Sequence, residues 1–196
     1  MNRFLTVAAA VAVMTSLLFA AEQKLTKAPD FALANYDGKT VKLSDYKGKI
    51  VVLEWFNYEC PFARYNYEKT TAVNDLVNKF KNKGVVFLAI NSTGHQTTEK
   101  NKEFAEQFKV SHPILNDSPG TVGKAYGAET TPHIFIIDAK SNIVYNGALD
   151  NAPLGKVTEG EKYVNYVDKA LTELTAGKMV STAETKPYGC SVKYGK

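Results

Sequence analysis

The stretch that decides the fold is residues 50–64, which read Ile-Val-Val-Leu-Glu-Trp-Phe-Asn-Tyr-Glu-Cys-Pro-Phe-Ala-Arg. Its first seven residues are apolar apart from one acid, which is typical of a strand covered on both faces of a sheet. Pro61 suits the first position of a helix, so Cys60 is predicted to stand where the strand turns into a helix. A helix N-terminus favours negative charge and the reactive form of cysteine is the thiolate. Cys60 is therefore the leading candidate for a reactive group.

Outward from this stretch, apolar runs alternate with segments of helical periodicity. Parallel neighbours in a sheet need helical connections, whereas hairpins supply antiparallel strands, so the order predicts an α/β sandwich with a mixed sheet. Ligands of such sheets gather beyond the carboxyl ends of the strands, where Cys60 falls. The predicted elements are a hairpin over 31–43, a strand over 49–56, one long helix from Pro61 to near Gly84, a strand over 85–90, a helix capped by Thr98, a short strand over 113–115, a short helix over 121–126, a hairpin over 130–145 and a helix over 164–174.

The N-terminal residues 1–21 have the pattern of a secretory signal peptide. A basic start at Arg3 precedes an apolar stretch that ends in small residues, with cleavage expected after Ala20 or Ala21. An uncleaved membrane anchor is the alternative, although the stretch is short for a bilayer span and contains hydroxyl residues. Export predicts a periplasmic location, an oxidising compartment in which two cysteines can form a disulfide.

The rest of the chain is predicted to form one domain over 22–177, followed by a tail over 178–196 that carries Cys190, the second of two cysteines. The 24 basic and 20 acidic residues are interspersed and give a net charge of +4. This pattern lacks the clustered basic patch of a nucleic-acid-binding protein. We expect no nucleic-acid partner and no membrane contact after signal cleavage. The sequence pattern does not indicate an oligomer interface.

Several motifs resemble a known family when taken in order. They are Cys60-Pro61 after a buried strand, Thr131-Pro132 before the next hairpin, the strand that ends at Asp138, and the tail segment 188–194. Together they resemble the peroxiredoxin-like redoxin group (alkyl hydroperoxide reductase/thiol-specific antioxidant). The resemblance implies a thioredoxin-like three-layer sandwich over residues 28–196. It also implies a cis peptide bond before Pro132, beside Cys60, that exposes the Thr131 backbone to an incoming peptide or thiol.

The sequence departs from its relatives at three places. A thioredoxin has a second cysteine three residues after the first, where this chain has Ala63. A typical peroxiredoxin has proline and threonine at the positions of Leu53 and Asn57. Its arginine would align near Pro132, so that group is missing too.

The remaining candidate site residues follow from these comparisons. Arg64, four residues after Cys60, is predicted to substitute as the thiolate partner. Glu54 occupies the place of the buried acid that exchanges protons in thioredoxins, and burial would raise the pKa of its carboxyl group. Asn57 is predicted to hydrogen-bond near the sulfur, and His133 to line the site together with Thr131.

Metal and organic cofactors are not expected. A copper or zinc pair of Cys60 and His133 is the weaker alternative, because copper carriers of this fold need two closely spaced cysteines. His95 and His112 show no ligand spacing and are predicted to lie at the surface.

Three functions stay open from the sequence. The first is a thiol peroxidase: Cys60 attacks a peroxide, becomes a sulfenic acid and condenses with Cys190, and an external dithiol reductant resets the pair. The second is thiol–disulfide exchange on exported proteins, without peroxide chemistry. The peroxidase is the leading hypothesis, and its predicted catalytic residues are Cys60, Cys190, Arg64, Glu54 and Pro132. The third is a non-catalytic binding module stapled by a permanent Cys60–Cys190 disulfide.

Overall fold

The computed structural model describes residues 25–195. The predicted signal peptide, residues 1–21, lies outside the described residues. The strands are β1 (Thr26–Lys27), β2 (Ala32–Asn35), β3 (Thr40–Lys42), β4 (Ile50–Trp55), β5 (Val85–Asn91), β6 (Ile114–Asn116), β7 (Thr130–Thr131), β8 (His133–Ile137), β9 (Asn142–Gly147) and β10 (Cys190–Ser191). The α-helices are α1 (Pro61–Glu68), α2 (Ala72–Phe80), α3 (Thr98–Gln107), α4 (Thr121–Tyr126) and α5 (Tyr166–Thr175).

Eight strands form one mixed sheet in the order β1-β9-β8-β4-β5-β6-β2-β3. Strands β4, β5 and β6 run parallel to one another, and β8 lies antiparallel beside β4 with Trp55 opposite His133. The predicted α/β fold with a mixed central sheet is confirmed. Because β4 is central, the Cys60 segment that follows it leaves the sheet at its middle.

Both faces of the sheet are covered. Along β4, Val52 packs with α1, α2, α3 and α5 on one face, whereas Leu53 and Trp55 pack with α4 on the other. Leu53 and Trp55 are 0% exposed. This two-sided burial explains why the strand is apolar without alternation, and it makes the molecule the predicted three-layer sandwich.

Two local predictions were wrong. The single helix predicted after Cys60 is divided into α1 and α2, with Thr70 and Thr71 at the break. Adjacent β-branched residues have low helix propensity, and the Thr71 hydroxyl instead donates to the Asp75 carboxylate. Helix α3 is capped by Thr97 rather than Thr98: the Thr97 side chain accepts a hydrogen bond from the Lys100 backbone N–H.

The predicted tail pairs with strand edges on its way back to the site. Glu184 forms a bridge with Asn146 beside β9, and Thr185 donates its backbone N–H to the Asn146 carbonyl. Strand β10 then pairs antiparallel with β7. Cys190 is thereby brought to the carboxyl end of β4. None of the helices between residues 25 and 195 is long and apolar enough to cross a bilayer.

Candidate active site

Cys60 caps the N-terminus of α1. Its backbone is extended (φ −77°, ψ 119°), and its carbonyl accepts the Arg64 backbone N–H at 2.9 Å, which starts the helix. The side chain is buried, with 2% of its surface exposed. The Cys60 thiol donates to the Thr131 carbonyl oxygen across 2.9 Å. The first turn of α1 and the loop before Pro132 therefore hold the sulfur between them.

Cys190 meets this sulfur from the tail. It lies opposite Thr131 in the β10–β7 pair, and no disulfide joins the two cysteines in this structure. A cavity of about 490 Å³ is lined by both thiols. A contact of 2.7 Å between His95 Nε2 and Glu59 Oε2 lies at its rim. The chain thus places its only two thiols at one site, although 129 residues separate them in sequence.

The two thiols differ in acidity. Burial alone would raise the pKa of Cys60, but contacts from the Cys190 and Thr131 side chains and the Ala63 backbone N–H bring it below the ordinary cysteine value. These groups favour the thiolate, and the free N–H groups of a helix N-terminus act in the same direction. Burial, with the neighbouring Cys60 sulfur, raises the pKa of Cys190 to about 11. Cys60 is therefore the more acidic of the two thiols, and the raised pKa of Cys190 favours its protonated form.

This asymmetry predicts a dependence of Cys60 acidity on Cys190. In Cys190→Ala the sulfur loses one donor, so the pKa of Cys60 should rise. Cys190→Ser retains a hydroxyl donor and should change it less. The ultraviolet absorbance of the thiolate, titrated against pH, measures both. An unchanged pKa in Cys190→Ala would show that Cys190 does not contribute to the acidity of Cys60.

A model of the AhpC/TSA family matches residues 25–146. The chain belongs to the AhpC/TSA family. It is an oxidoreductase with a thioredoxin-like fold. The match ends before the tail, so the Cys190 segment lies outside the part of the chain that the family model describes.

Several relatives of this AhpC/TSA chain have names that describe disulfide chemistry. The thiol-disulfide oxidoreductase ResA of Bacillus cereus is 30% identical over 64% of this chain and 72% of its own. A Chlorobium tepidum structure described as a thiol:disulfide interchange protein DsbE has 27% identity and a TM-score of 0.58, and the match covers 79% of this chain and 95% of that one. An uncharacterised conserved protein from Geobacillus kaustophilus has 32% identity and a TM-score of 0.77, with coverage of 87% and 92%.

Three of the predicted residues lie at the sulfur or its cavity. Asn57 lines the cavity, and its side-chain oxygen accepts the Glu59 backbone N–H at 2.8 Å, which shapes the loop before Cys60. The peptide bond between Thr131 and Pro132 is cis, as the resemblance to this family implies. The Thr131 backbone, expected to be open to a partner, is instead paired with β10.

Two predicted residues are directed elsewhere. The Arg64 guanidinium donates to the Tyr58 carbonyl at 3.0 Å and pairs with Glu68. The expected i,i+4 contact with Cys60 does not form, because Cys60 is an extended cap and not a helical residue. His133 lies buried on β8, where Nε2 contacts Asn146 Oδ1 at 2.6 Å. Neither Arg64 nor His133 lines the cavity beside the two thiols.

Glu54 is buried, as predicted, but its partner was missed. The Tyr67 hydroxyl donates to Glu54 Oε2 at 2.5 Å, and His112 Nε2 lies 3.4 Å from the same hydroxyl. Burial raises the pKa of Glu54 to about 7 and lowers that of His112 to about 4. The prediction that His112 lies at the surface was wrong, since it is 5% exposed, whereas His95 is exposed as expected.

Sequence reasoning also missed the residues that dock the tail. Tyr194 donates its hydroxyl to the Ala128 carbonyl at 2.7 Å, and its ring lies against Gly120 and Gly123. The glycines are a signal that could have been used, because each leaves room for a close approach. Within residues 25–195 no cluster of three or more histidine, cysteine or acidic side chains could hold a metal ion.

Proposed function

We propose that this chain is a thiol–disulfide oxidoreductase that acts on protein disulfides. The Cys60 thiolate attacks one sulfur of a client disulfide, forms a mixed disulfide and releases the other client sulfur as a thiolate. Cys190 then attacks the Cys60 sulfur and gives up its proton to the departing client thiolate. Two electrons pass to the client, and the protein is left with a Cys60–Cys190 disulfide. An external dithiol reduces that bond and closes the cycle.

The observation that carries the proposal is the placement of Cys190 beside Cys60 by strand pairing. A resolving thiol must reach the nucleophile in line with the mixed disulfide, and the pairing of Cys190 with Thr131 fixes its approach. The acidity difference supports the same roles, since the Cys60 pKa is lowered and the Cys190 pKa is raised. The ResA and DsbE names of the relatives agree with exchange chemistry.

The peroxidase function predicted first from the sequence has weaker support. Peroxide reduction needs a group that stabilises charge on the leaving oxygen, and Arg64 was the candidate. Its guanidinium is occupied by Tyr58 and Glu68, on the α3 side of α1, where it also lies 5.9 Å from the Phe104 ring. The relatives named for disulfide exchange therefore favour the second hypothesis over the first.

A single-turnover experiment with Cys190→Ser tests the assignment. The reduced wild-type protein should convert one equivalent of a cysteine–glutathione peptide disulfide fully to thiols and become oxidised at Cys60 and Cys190. Cys190→Ser should stop at the Cys60 mixed disulfide, with its resolution slowed at least about a hundredfold. Mass spectrometry of the quenched protein identifies each species. Ser191→Ala, an exposed neighbour, is the matched control and should behave as wild type.

The other two functions give different results in the same assay. A peroxidase would form a Cys60 sulfenic acid with one equivalent of peroxide faster than it reacts with the peptide disulfide. A structural staple would show a Cys60–Cys190 reduction potential below about −300 mV, beyond the reach of ordinary dithiol donors. Either result would overturn the proposal.

Two further predictions belong to this function. Glu54 is proposed as the buried acid/base group of the exchange, since a pKa of about 7 suits proton transfer at neutral pH. The protein is proposed to work in the periplasm, on the basis of the signal-like residues 1–21. Periplasmic fractionation of the full chain, with N-terminal sequencing of the product, tests the second point.

A further inference from the structure

The C-terminal segment 188–195 occupies the edge at which a client would have to bind. Strand β10 pairs with β7, and the Val192 backbone N–H donates to the Glu129 carbonyl at 2.9 Å. With this strand in place Cys60 is 2% exposed. An extended protein segment cannot pair with Thr131 while β10 occupies that edge, and the cavity of about 490 Å³ beside the strand has room only for a small disulfide. Client and tail therefore require the same space.

Segment 188–195 of the tail is held against the domain by close, specific contacts. Gly189 has φ +134°, and a Cβ atom there would lie 2.1 Å from the Thr131 carbonyl oxygen. Only glycine fits this approach to the site. Farther along, the Gly94 backbone N–H donates to the Lys193 carbonyl at 2.8 Å. The Tyr194 ring fills a notch where a Cβ on Gly120 would lie 2.5 Å from it.

We propose that segment 188–195 is a resident substrate mimic, and that an extended, cysteine-containing client segment binds in its place on the Glu129–Thr131 edge. The inference rests on the proposed exchange function. The client cysteine takes the position of Cys190 and forms the mixed disulfide with Cys60. The returning tail then displaces the client strand as Cys190 attacks the Cys60 sulfur. Resolution and release become one event, because only one strand can pair with β7.

The tail also indicates what a client must look like. The residue before the client cysteine lies where Gly189 lies, against the Thr131 carbonyl oxygen, so glycine is favoured and a branched side chain is excluded. The residue two positions after the cysteine must offer a backbone N–H to Glu129, as Val192 does, so proline is excluded there. Clients are extended segments of unfolded or flexible proteins, because a strand inside a folded sheet is already paired on both sides.

The test compares two disulfides in a Cys190→Ser background, where the mixed disulfide with Cys60 accumulates. The first is a peptide with the sequence of residues 186–195, its cysteine joined to glutathione. The second is hydroxyethyl disulfide, which is small enough to enter the cavity. Adding Tyr194→Ala should loosen the tail and raise the rate with the peptide about tenfold, with little change for the small disulfide. Tyr194→Phe keeps the ring and should give a smaller increase.

A second peptide and a second measurement complete the design. The same peptide with valine at the Gly189 position should react at least about tenfold more slowly, because its Cβ would meet the Thr131 carbonyl. In the unmodified wild-type protein, an excess of the unreactive peptide with serine for cysteine should speed hydrogen exchange at the Val192 amide and leave the amides of β4 unchanged. This measurement does not depend on the folding of any variant.

The outcomes separate the inference from the function on which it rests. Failure of Cys60 to react with either disulfide would overturn the exchange function. Reaction with both, but with equal rates for the glycine and valine peptides and no effect of Tyr194→Ala, would overturn the substrate mimic alone. An equal rise of both rates in Tyr194→Ala would also overturn it, since that result means general exposure of Cys60 rather than competition for an edge.

Discussion

Cys60→Ser is expected to lower the rate of disulfide exchange by about three orders of magnitude or more. A serine hydroxyl is almost entirely protonated near neutral pH, whereas the environment of Cys60 lowers the pKa of its thiol and favours the thiolate. Cys190, the other thiol of the site, cannot compensate, because its pKa is raised to about 11 and it stays protonated near neutral pH. Single-turnover reduction of a peptide disulfide by the reduced protein is the measurement.

The substitution should leave the fold intact. Serine is nearly isosteric with cysteine, and its hydroxyl can donate to the Thr131 carbonyl as the thiol does. The melting temperature of Cys60→Ser should therefore stay close to that of wild type. Exchange activity that survives in this variant would mean that the reactive group is not Cys60, and the proposed roles of Cys60 and Cys190 would be wrong.

The strand–cysteine–helix order was predictable from the sequence, for physical reasons that are local. A fully buried central strand must be apolar on both faces, and Pro61 marks a helix start without help from distant residues. The split between α1 and α2 was not predicted, since the apolar periodicity of the two helices continues across the break at Thr70 and Thr71. Periodicity reports the face of a helix and not its continuity.

The direction of long side chains could not be predicted from spacing. The i,i+4 rule that linked Arg64 to Cys60 holds inside a helix, and Cys60 lies just outside one. Arg64 instead finds Glu68, its own i+4 neighbour within α1. His133 shows the same limit for strands. Its position beside Pro132 suggested the site, but its ring nitrogens contact Asn146 and the Glu129 backbone N–H.

The path of the C-terminal tail is the feature of the structure that the sequence predicted least well. Two-residue strands such as β10 carry no periodic signal, and their pairing is decided by a partner far away in the sequence. Because residues 178–196 contain Cys190, the sequence predicted that the tail reaches Cys60. It did not predict the strand pairing with Thr131, which determines the groups that a client must displace.

Buried ionisable groups beneath α1 oppose each other in their effect on stability. The Glu54 pKa is raised from 4.5 to about 7, so the folded state holds a proton that the unfolded state loses. Glu54 contributes fully to the free energy of unfolding below pH 4.5. That contribution, about 3 kcal/mol, is lost as the pH rises to 7. The His112 pKa is lowered from 6.5 to about 4, so its contribution is full above pH 6.5 and is lost as pH falls. In wild type the pH dependences of stability that come from Glu54 and His112 therefore nearly cancel between pH 4.5 and pH 6.5.

Glu54→Gln should remove the pH dependence of stability that comes from Glu54 and leave the one that comes from His112. Between pH 4.5 and pH 7, the free energy of unfolding of the variant should rise by about 3 kcal/mol relative to that of wild type. Denaturant unfolding of both proteins across this range measures the difference. Tyr67→Phe is the companion variant: it removes the hydrogen bond that lowers the Glu54 pKa, so the loss of stability should extend to higher pH. A difference between Glu54→Gln and wild type that does not change with pH would mean that Glu54 is ionised in the folded protein, and it could not then act as the proton donor of the exchange.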